Sequence, residues 1–347
     1  MSTSVMIPPD TLTRLTQDVF VRAGMPESDA ATLAEALIWA NLRGVDSHGI
    51  SRVPWYADMI RKGVLNPKPT LNVRQETGAT VSVDADRASG PVAMRFAAGH
   101  AVRKAREAGA GFAVVARTTH TAALGFYARS IAHEGCAALI AAASIPMMPY
   151  HGSAASTVST SPFCIAVPRG EGEPLVLDIA TSVISFGKLM LMKKAGKPLE
   201  PGWAIDAAGA PTTDSAAAVM PLPLGGPKGA GLSLMIECLA SLLADNPILT
   251  KVLDGSDTVH RQNALILAVD IATFVELDAF RTNVDHLVAA IKATPLGVGF
   301  SEILMPGERG DRETEVRRRS GIPVPAAAFA DFRRVAIELG VTVPERF

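Results

Sequence analysis

Gly109-Ala110-Gly111-Phe112-Ala113-Val114 comes closest, in this chain of 347 residues, to the Gly-x-Gly-x-x-Gly of a dinucleotide-binding turn, and it fails on two counts. Val114 stands where a third glycine should let helix and strand close together, and the stretch follows a helix where that turn must follow a strand. Phe112-Ala113-Val114-Val115-Ala116 instead reads as a buried strand leaving a helix end. Gly225-Gly226-Pro227-Lys228-Gly229-Ala230-Gly231 likewise lacks the Gly-Lys-Ser/Thr order of a phosphate-binding loop. Any nucleotide must be held another way than by a Rossmann glycine turn.

Upstream of it the texture is helical. Asp10 and Ser28 suit helix N-caps, and Leu33, Ala36, Leu37 and Ala40 recur at helical spacing until Gly44. Asn66-Pro67-Lys68-Pro69 marks a turn, residues 80–84 alternate like a strand, and an Ala-rich helix spans about 92 to 108. Downstream, strands are predicted at 137–142, 163–167, 175–178 and 264–270. Helices are predicted after Asp178 and at 231–244, 278–293 and 326–339. The sum is a three-layer α/β/α arrangement with a mixed sheet. Residues 1–75 form a helical domain joined by 311–347, and residues 76–310 form the sheet domain.

A hydrophobic content of 48% fills cores of that size, and a net charge of −1 with interspersed signs excludes the basic footprint of nucleic-acid or anionic-membrane binders. Cys136, Cys164 and Cys238 are odd in number and set among apolar residues, which indicates buried thiols of a reduced, cytoplasmic protein. The N-terminus lacks the basic and apolar regions of a secretory signal. Residues 135–168 hold no Asp, Glu, Lys or Arg, yet Pro146, Pro149 and Pro162 interrupt them short of the ~20 apolar residues a membrane span needs. They read as strand, uncharged loop and strand.

Three segments carry chemistry. In Arg43-Gly44-Val45-Asp46-Ser47-His48-Gly49-Ile50-Ser51-Arg52-Val53-Pro54, Pro54 restricts the helix start to about residues 50–52, which places His48 just ahead of an N-terminus. A substrate carboxylate there would meet unpaired N–H groups and Arg52, with an imidazole for proton transfer. The plain alternative is that Ser47 and His48 only cap that helix. His120 follows the end of the 112–116 strand, where α/β proteins place sites, although a lone histidine there also serves as a structural residue. Ser144, Ser159-Thr160-Ser161 and Asp178-Ile179-Ala180-Thr181-Ser182 offer hydroxyls and amides for ribose or phosphate, with Asp178 reading equally as an N-cap. Lys228 and the Pro306-Gly307-Glu308-Arg309 loop suit a pyrophosphate or a solvated turn. No His/Asp/Glu cluster has metal-ligand spacing, so no metal is expected.

Together these segments resemble the malate/L-lactate dehydrogenase type 2 family over nearly the whole chain. The resemblance rests on Arg43 to Gly49, Thr119-His120 with Gly125-Phe126-Tyr127, Leu177 to Ser182, Gly202 to Asp206 through Pro211 to Asp214, Gly226 to Gly229, and Pro306-Gly307-Glu308. It implies a sulfolactate dehydrogenase-like, non-Rossmann fold, NAD or NADP as cofactor, a small 2-keto or 2-hydroxy acid as substrate, and a homodimer. It implies His48 as proton donor, Ser47 as its supporting hydroxyl and Arg52 as carboxylate clamp. In the ureidoglycolate branch the position of His120 has the acid/base role, so both histidines are carried. Cofactor contacts implied are His120, Ser144, Asp178, Ile179, Ala180, Lys228, Gly307, Glu308 and Arg309, with Thr160 near the substrate. The chain departs from the family pattern at Arg117-Thr118, Ser159-Thr160-Ser161 and Ala230. Reduction of a cyclic imino acid is the alternative activity, and Lys188 in place of that branch's Asp counts against it. A non-catalytic anion-binding protein is the third reading.

Overall fold

The computed structural model describes residues 4–256 and 262–344. The short strand β1 (Ser4–Ile7) is followed by helices α1 (Pro9–Arg22) and α2 (Glu27–Leu42). Neither helix uses the expected side-chain cap. Asp10 and Ser28 lie inside the first turns, and the entries are made by Pro8 and Pro26, each with φ fixed at −57°. Asp10 still acts favourably there, since a carboxylate in the first turn complements the helix dipole. Helix α3 (Val53–Arg61) carries Pro54 in its first turn, as expected.

The sheet that follows takes in β2 (Asn72–Glu76) and β3 (Thr80–Asp84), then α4 (Gly90–Ala108) leading to β4 (Ala110–Thr118). Next come α5 (Gly125–His133), β5 (Cys136–Ser144), β6 (Phe163–Val167), β7 (Leu175–Ile179) and α6 (Phe186–Lys194). Three two-residue strands, β8 (Ala204–Ile205), β9 (Pro211–Thr212) and β10 (Met220–Pro221), make a small separate sheet. Beyond them lie α7 (Pro227–Glu237), α8 (Leu249–Leu253) and β11 (Gln262–Asp270). The main sheet has the order β2-β3-β4-β11-β5-β6-β7. Only the β3–β4 pair, joined through α4, is parallel; its other neighbours are antiparallel.

Alternation explains the uncharged strands. Ala113 and Val115 of β4, with Ala138, Ile140 and Ala142 of β5, pack on one face with α4 and α5. Val114 and Ala116, with Ala141 and Ala143, pack on the other against Ile236 and Ala240. A strand covered on both faces has no side left for charge, which accounts for the uncharged run of β5 within residues 135–168. Asp178 lies in β7 and is not a helix cap; the helix after it begins at Phe186, capped by Ser185 through the Lys188 amide at 3.1 Å. The helix expected at 231–244 starts earlier, at Pro227, and ends in a wider π turn over Cys238–Leu242. Cys136 and Cys164 are buried, whereas Cys238 is only half-buried.

The chain continues through α9 (Leu277–Lys292), α10 (Glu308–Ser320), β12 (Ile322–Pro325) and α11 (Ala326–Glu338). β12 pairs antiparallel with β1, so Ile322 and Phe332 share a core with Ile7, Leu12, Phe20 and Leu37. Helix α10 was not anticipated. Its sequence, ERGDRETEVRRRS, has no apolar stripe to reveal it, and it is supported by i,i+4 pairs such as Glu308–Arg312 and Glu313–Arg317. Among the described residues no helix is long and apolar enough to cross a membrane.

Candidate active site

The Ser47-His48 turn is built from the end of α2. Buried Asn41 donates from Nδ2 to Asp46 Oδ1 at 2.6 Å and accepts the Ile50 amide on Oδ1 at 2.8 Å. Gly49 is required by this arrangement, because a Cβ there would lie 2.1 Å from Asn41 Oδ1. Arg317 of α10 holds the outer side, donating to Asp46 Oδ1 at 2.7 Å and to the Asn41 carbonyl at 2.6 Å. Two single 3-10 turns, Asp46–His48 and Ile50–Arg52, then lead into α3.

This geometry aims three side chains at one place. Ser47 Oγ is 3.0 Å from His48 Nδ1, and Arg52 Nε donates to the Ser47 carbonyl at 2.6 Å. The Arg52 guanidinium sits 5.4 Å from the Trp55 ring centre, a cation–π contact that steadies it. Gly187, at the start of α6, leaves room for it: a Cβ there would be 2.9 Å from Arg52 Nη2. Burial, and then the Arg52 charge, lower the His48 pKa to about 4, so the ring is neutral at pH 7.

His120 comes from the loop after β4. Thr119 ties that loop to the Ala88 carbonyl through its amide and hydroxyl, at 3.1 and 2.9 Å, and the Thr121 amide donates to Gln262 Oε1 at 3.0 Å. The His120 ring stacks on His48 with centroids 5.4 Å apart and planes inclined by 28°. Tyr56 Oη lies 2.6 Å from His120 Nδ1.

Both imidazoles and Arg52 line a cavity of about 730 Å³, which runs past Ser144 and Thr160 to Asp178, Ile179 and Ala180 and ends at Gly307 and Arg309. Asp178 lines the cavity and is exposed to it, with protein packed around its carboxylate. Desolvation raises its pKa to about 6, against the Gly125 amide donated at 2.7 Å and the Arg43 charge. Arg43 fixes the far wall, pairing with Asp311 and donating to the Gly307 carbonyl at 2.8 Å.

Two expected contacts lie elsewhere. Lys228 stands in the first turn of α7, outside the cavity lining. Glu308 turns away to Lys292 and Arg312 in a separate cleft; burial would raise its carboxyl, but Lys292, the Met305 amide and Arg312 bring it to about 2. Sequence reasoning missed Asn41, Tyr56, Gly187, Gln262 and Arg317. Asn41 and Tyr56 carried a faint signal as polar groups on helix faces that are otherwise apolar.

The donor set suits an anionic ligand that also carries hydroxyls. Arg43, Arg52 and Arg309 line the cavity against the single carboxylate of Asp178, and Ser47, Ser144, Thr160 and Ser185 belong to the same lining. A mixed α/β fold in which the loop after β4 supplies one imidazole, and the turns after α2 supply a second imidazole and a guanidinium, to one cationic cavity defines an enzyme. Comparison with known proteins shows it to be an oxidoreductase acting on hydroxy acids. The profile of the malate/L-lactate dehydrogenase family matches residues 7–333. Malate dehydrogenase of Pyrococcus horikoshii is 31% identical, the match covering 97% of this chain and 96% of that one. L-sulfolactate dehydrogenase of Methanocaldococcus jannaschii is 31% identical over 98% and 99% of the two chains. The crystal structure of malate dehydrogenase from Entamoeba histolytica superposes with a TM-score of 0.93 at 25% identity, covering 99% of this chain and 100% of the other. The chain belongs to the malate/L-lactate dehydrogenase family.

Proposed function

We propose that the chain transfers a hydride between NAD(P)H and C2 of a small 2-keto acid, or in reverse from a 2-hydroxy acid such as malate or lactate. The observation that carries this reading is the placing of His48, Arg52 and His120 on one wall of a cavity whose other end is Asp178, Gly307 and Arg309. When bound, the nicotinamide supplies or accepts the hydride. Arg52 pairs with the substrate carboxylate, and the imidazoles exchange the proton of the C2 oxygen. Neutral His48 is ready to take that proton during oxidation. In reduction it must first be protonated, and a bound carboxylate favours this by offsetting the Arg52 charge that depresses its pKa.

Asp178, Ile179, Ala180, Gly307 and Arg309 hold the dinucleotide in this reading, with Ser144 between the two ends and Thr160 beside the substrate. The sheet is the non-Rossmann, sulfolactate dehydrogenase-like type, in keeping with its single parallel pair. Residues 1–75 with 311–347 act as one helical domain against a 76–310 sheet domain, consistent with the core shared by Ile7, Leu37, Ile322 and Phe332. A homodimer is supported by the exposed apolar face of α7 and its continuation, where Leu232, Met235, Leu239, Leu242 and Leu243 recur at helical spacing. The cytoplasmic assignment rests on the cysteines, two of which are buried thiols. Lys188, held 4.6 Å from the Trp203 ring centre, disfavours the imino-acid alternative, which calls for an acid in that helix.

The test is a thermal-shift titration with NADH and with NADPH, followed by a panel of 2-keto acids monitored by nicotinamide absorbance. One cofactor should raise the melting temperature, by ~2.7 kcal/mol of stabilisation at ~100 times its dissociation constant. Binding of neither would overturn the reading.

A further inference from the structure

We infer that Tyr56 is a positioning residue that fixes the tautomer of His120, keeping its proton on Nε2. The inference rests on the reading that His120 works on the substrate oxygen, but the tautomer itself is measurable without any substrate.

Tyr56 is 1% exposed and does not line the cavity; it stands behind His120, one helical turn after Arg52. Its hydroxyl lies 2.6 Å from His120 Nδ1, and the backbone N–H of Ala122 approaches the same nitrogen at 3.3 Å. An amide N–H can only donate, so Nδ1 receives that contact as a bare lone pair. The Tyr56 hydroxyl keeps its proton, since burial pushes its pKa upward against the Arg52 charge, and it therefore donates as well. With two donors on Nδ1, the ring proton must sit on Nε2. Ring orientation is fixed separately, by His48 stacked at 5.4 Å and by the Trp55 edge at 5.3 Å.

The local packing gives no other reason for a hydroxyl at position 56. The aromatic neighbour of Tyr56 inside the helical core is Phe20, 6.4 Å between ring centres, and a buried phenol without an acceptor is costly. His120 Nδ1 is that acceptor. In the Nε2–H form His120 offers a hydrogen-bond donor to the C2 oxygen before any proton moves, while neutral His48 offers a base. The two stacked rings thereby take different roles, and Tyr56, the shorter of the two contacts on Nδ1, holds the difference together with the longer Ala122 amide contact.

The experiment compares wild type with Tyr56→Phe, using long-range ¹H–¹⁵N correlation spectra of ¹⁵N-histidine-labelled protein and His120→Gln to assign the ring. Wild type should show His120 purely as Nε2–H. Tyr56→Phe should move it toward a mixture of tautomers and lower kcat by ~10- to 100-fold, with the nicotinamide dissociation constant held within about twofold. Nδ1–H in wild type would overturn the inference, and so would a Tyr56→Phe protein whose tautomer and kcat are unchanged whatever its melting temperature. If Tyr56→Phe does not fold, fluorotyrosine incorporation replaces it, and a His120 Nδ1 shift unmoved by the more acidic phenol overturns the inference. If wild type reduces no keto acid, the proposed function fails, while the spectra still judge Tyr56.

Discussion

At the scale of single residues, two of the ionisable groups lining the cavity have pKa values displaced in opposite senses, each away from its charged form by desolvation. His48 is depressed to about 4 and Asp178 is raised to about 6. Between about pH 4 and 6.5 the unfolded chain carries a His48 proton that the folded chain rejects, so this group's effect on stability grows less favourable as pH falls. His48→Gln removes the effect, and its melting temperature should gain on wild type as pH drops from 6.5 to 4. For Asp178 the unfolded carboxyl ionises from about pH 3.8 while the folded one resists until about 6, so stability declines as pH rises through that window. Asp178→Asn should therefore melt higher than wild type above pH 6 and lose the difference below pH 4. A parallel pair of melting curves across pH would refute either assignment. For catalysis, His48→Ala should lower turnover by ~10²-fold or more with nicotinamide binding retained, measured by steady-state kinetics and fluorescence titration. Both histidines were legible in sequence because each stands beside a strong local signal, a proline-fixed helix start and a strand end. Tyr56 was not, because a tyrosine on the apolar face of an amphipathic helix looks like core until its hydroxyl partner, 64 residues away, is known.

At the scale of elements, the catalytic turn is held by a helix the sequence hid. Helix α10 begins at the Gly307 loop, anchored there by Arg43, and reaches Asp46 nine residues further on through Arg317. It thus links both ends of the cavity through charged side chains, which hydrophobic periodicity does not register. Arg317→Met keeps the buried stem but removes the guanidinium bonds to Asp46 and the Asn41 carbonyl, leaving them the Asn41 side-chain amide and the Gly44 amide. Loss of such bonds costs ~1–3 kcal/mol. Because the damage falls on the Ser47-His48 turn, kcat should drop ~10-fold or more while the nicotinamide dissociation constant changes little. Equal losses in both, or in neither, would place the link elsewhere. Gly49, by contrast, was quoted within the Ser-His-Gly motif, and only the packing of Asn41 shows why no side chain fits there.

At the scale of the whole molecule, most of the longer helices, six strands of the seven-stranded sheet and the α/β class were legible from periodicity, but the sheet order was not. β11 enters between β4 and β5 although more than a hundred residues separate it from either, and nothing local encodes so distant a pairing. The helix that covers this part of the sheet, α7, also presents the largest unexplained feature of the surface. Ile236 and Ala240 of that helix and its π turn face the sheet, while Met235, Leu239 and Leu243 on the opposite side are 56%, 47% and 56% exposed. An amphipathic surface helix should place polar residues there, so apolar groups on both sides indicate a second covering layer. In the proposed homodimer a second copy of the chain would meet that need by two-fold symmetry, with each α7 face covering its counterpart. Met235→Glu combined with Leu239→Glu leaves the residues that face the sheet unchanged but sets four like charges across the two-fold contact. Sedimentation analysis should then show half the wild-type mass with the circular dichroism spectrum preserved. A double variant that sediments with wild type at the dimer mass would move the interface to another face, and a wild-type monomer would remove it altogether.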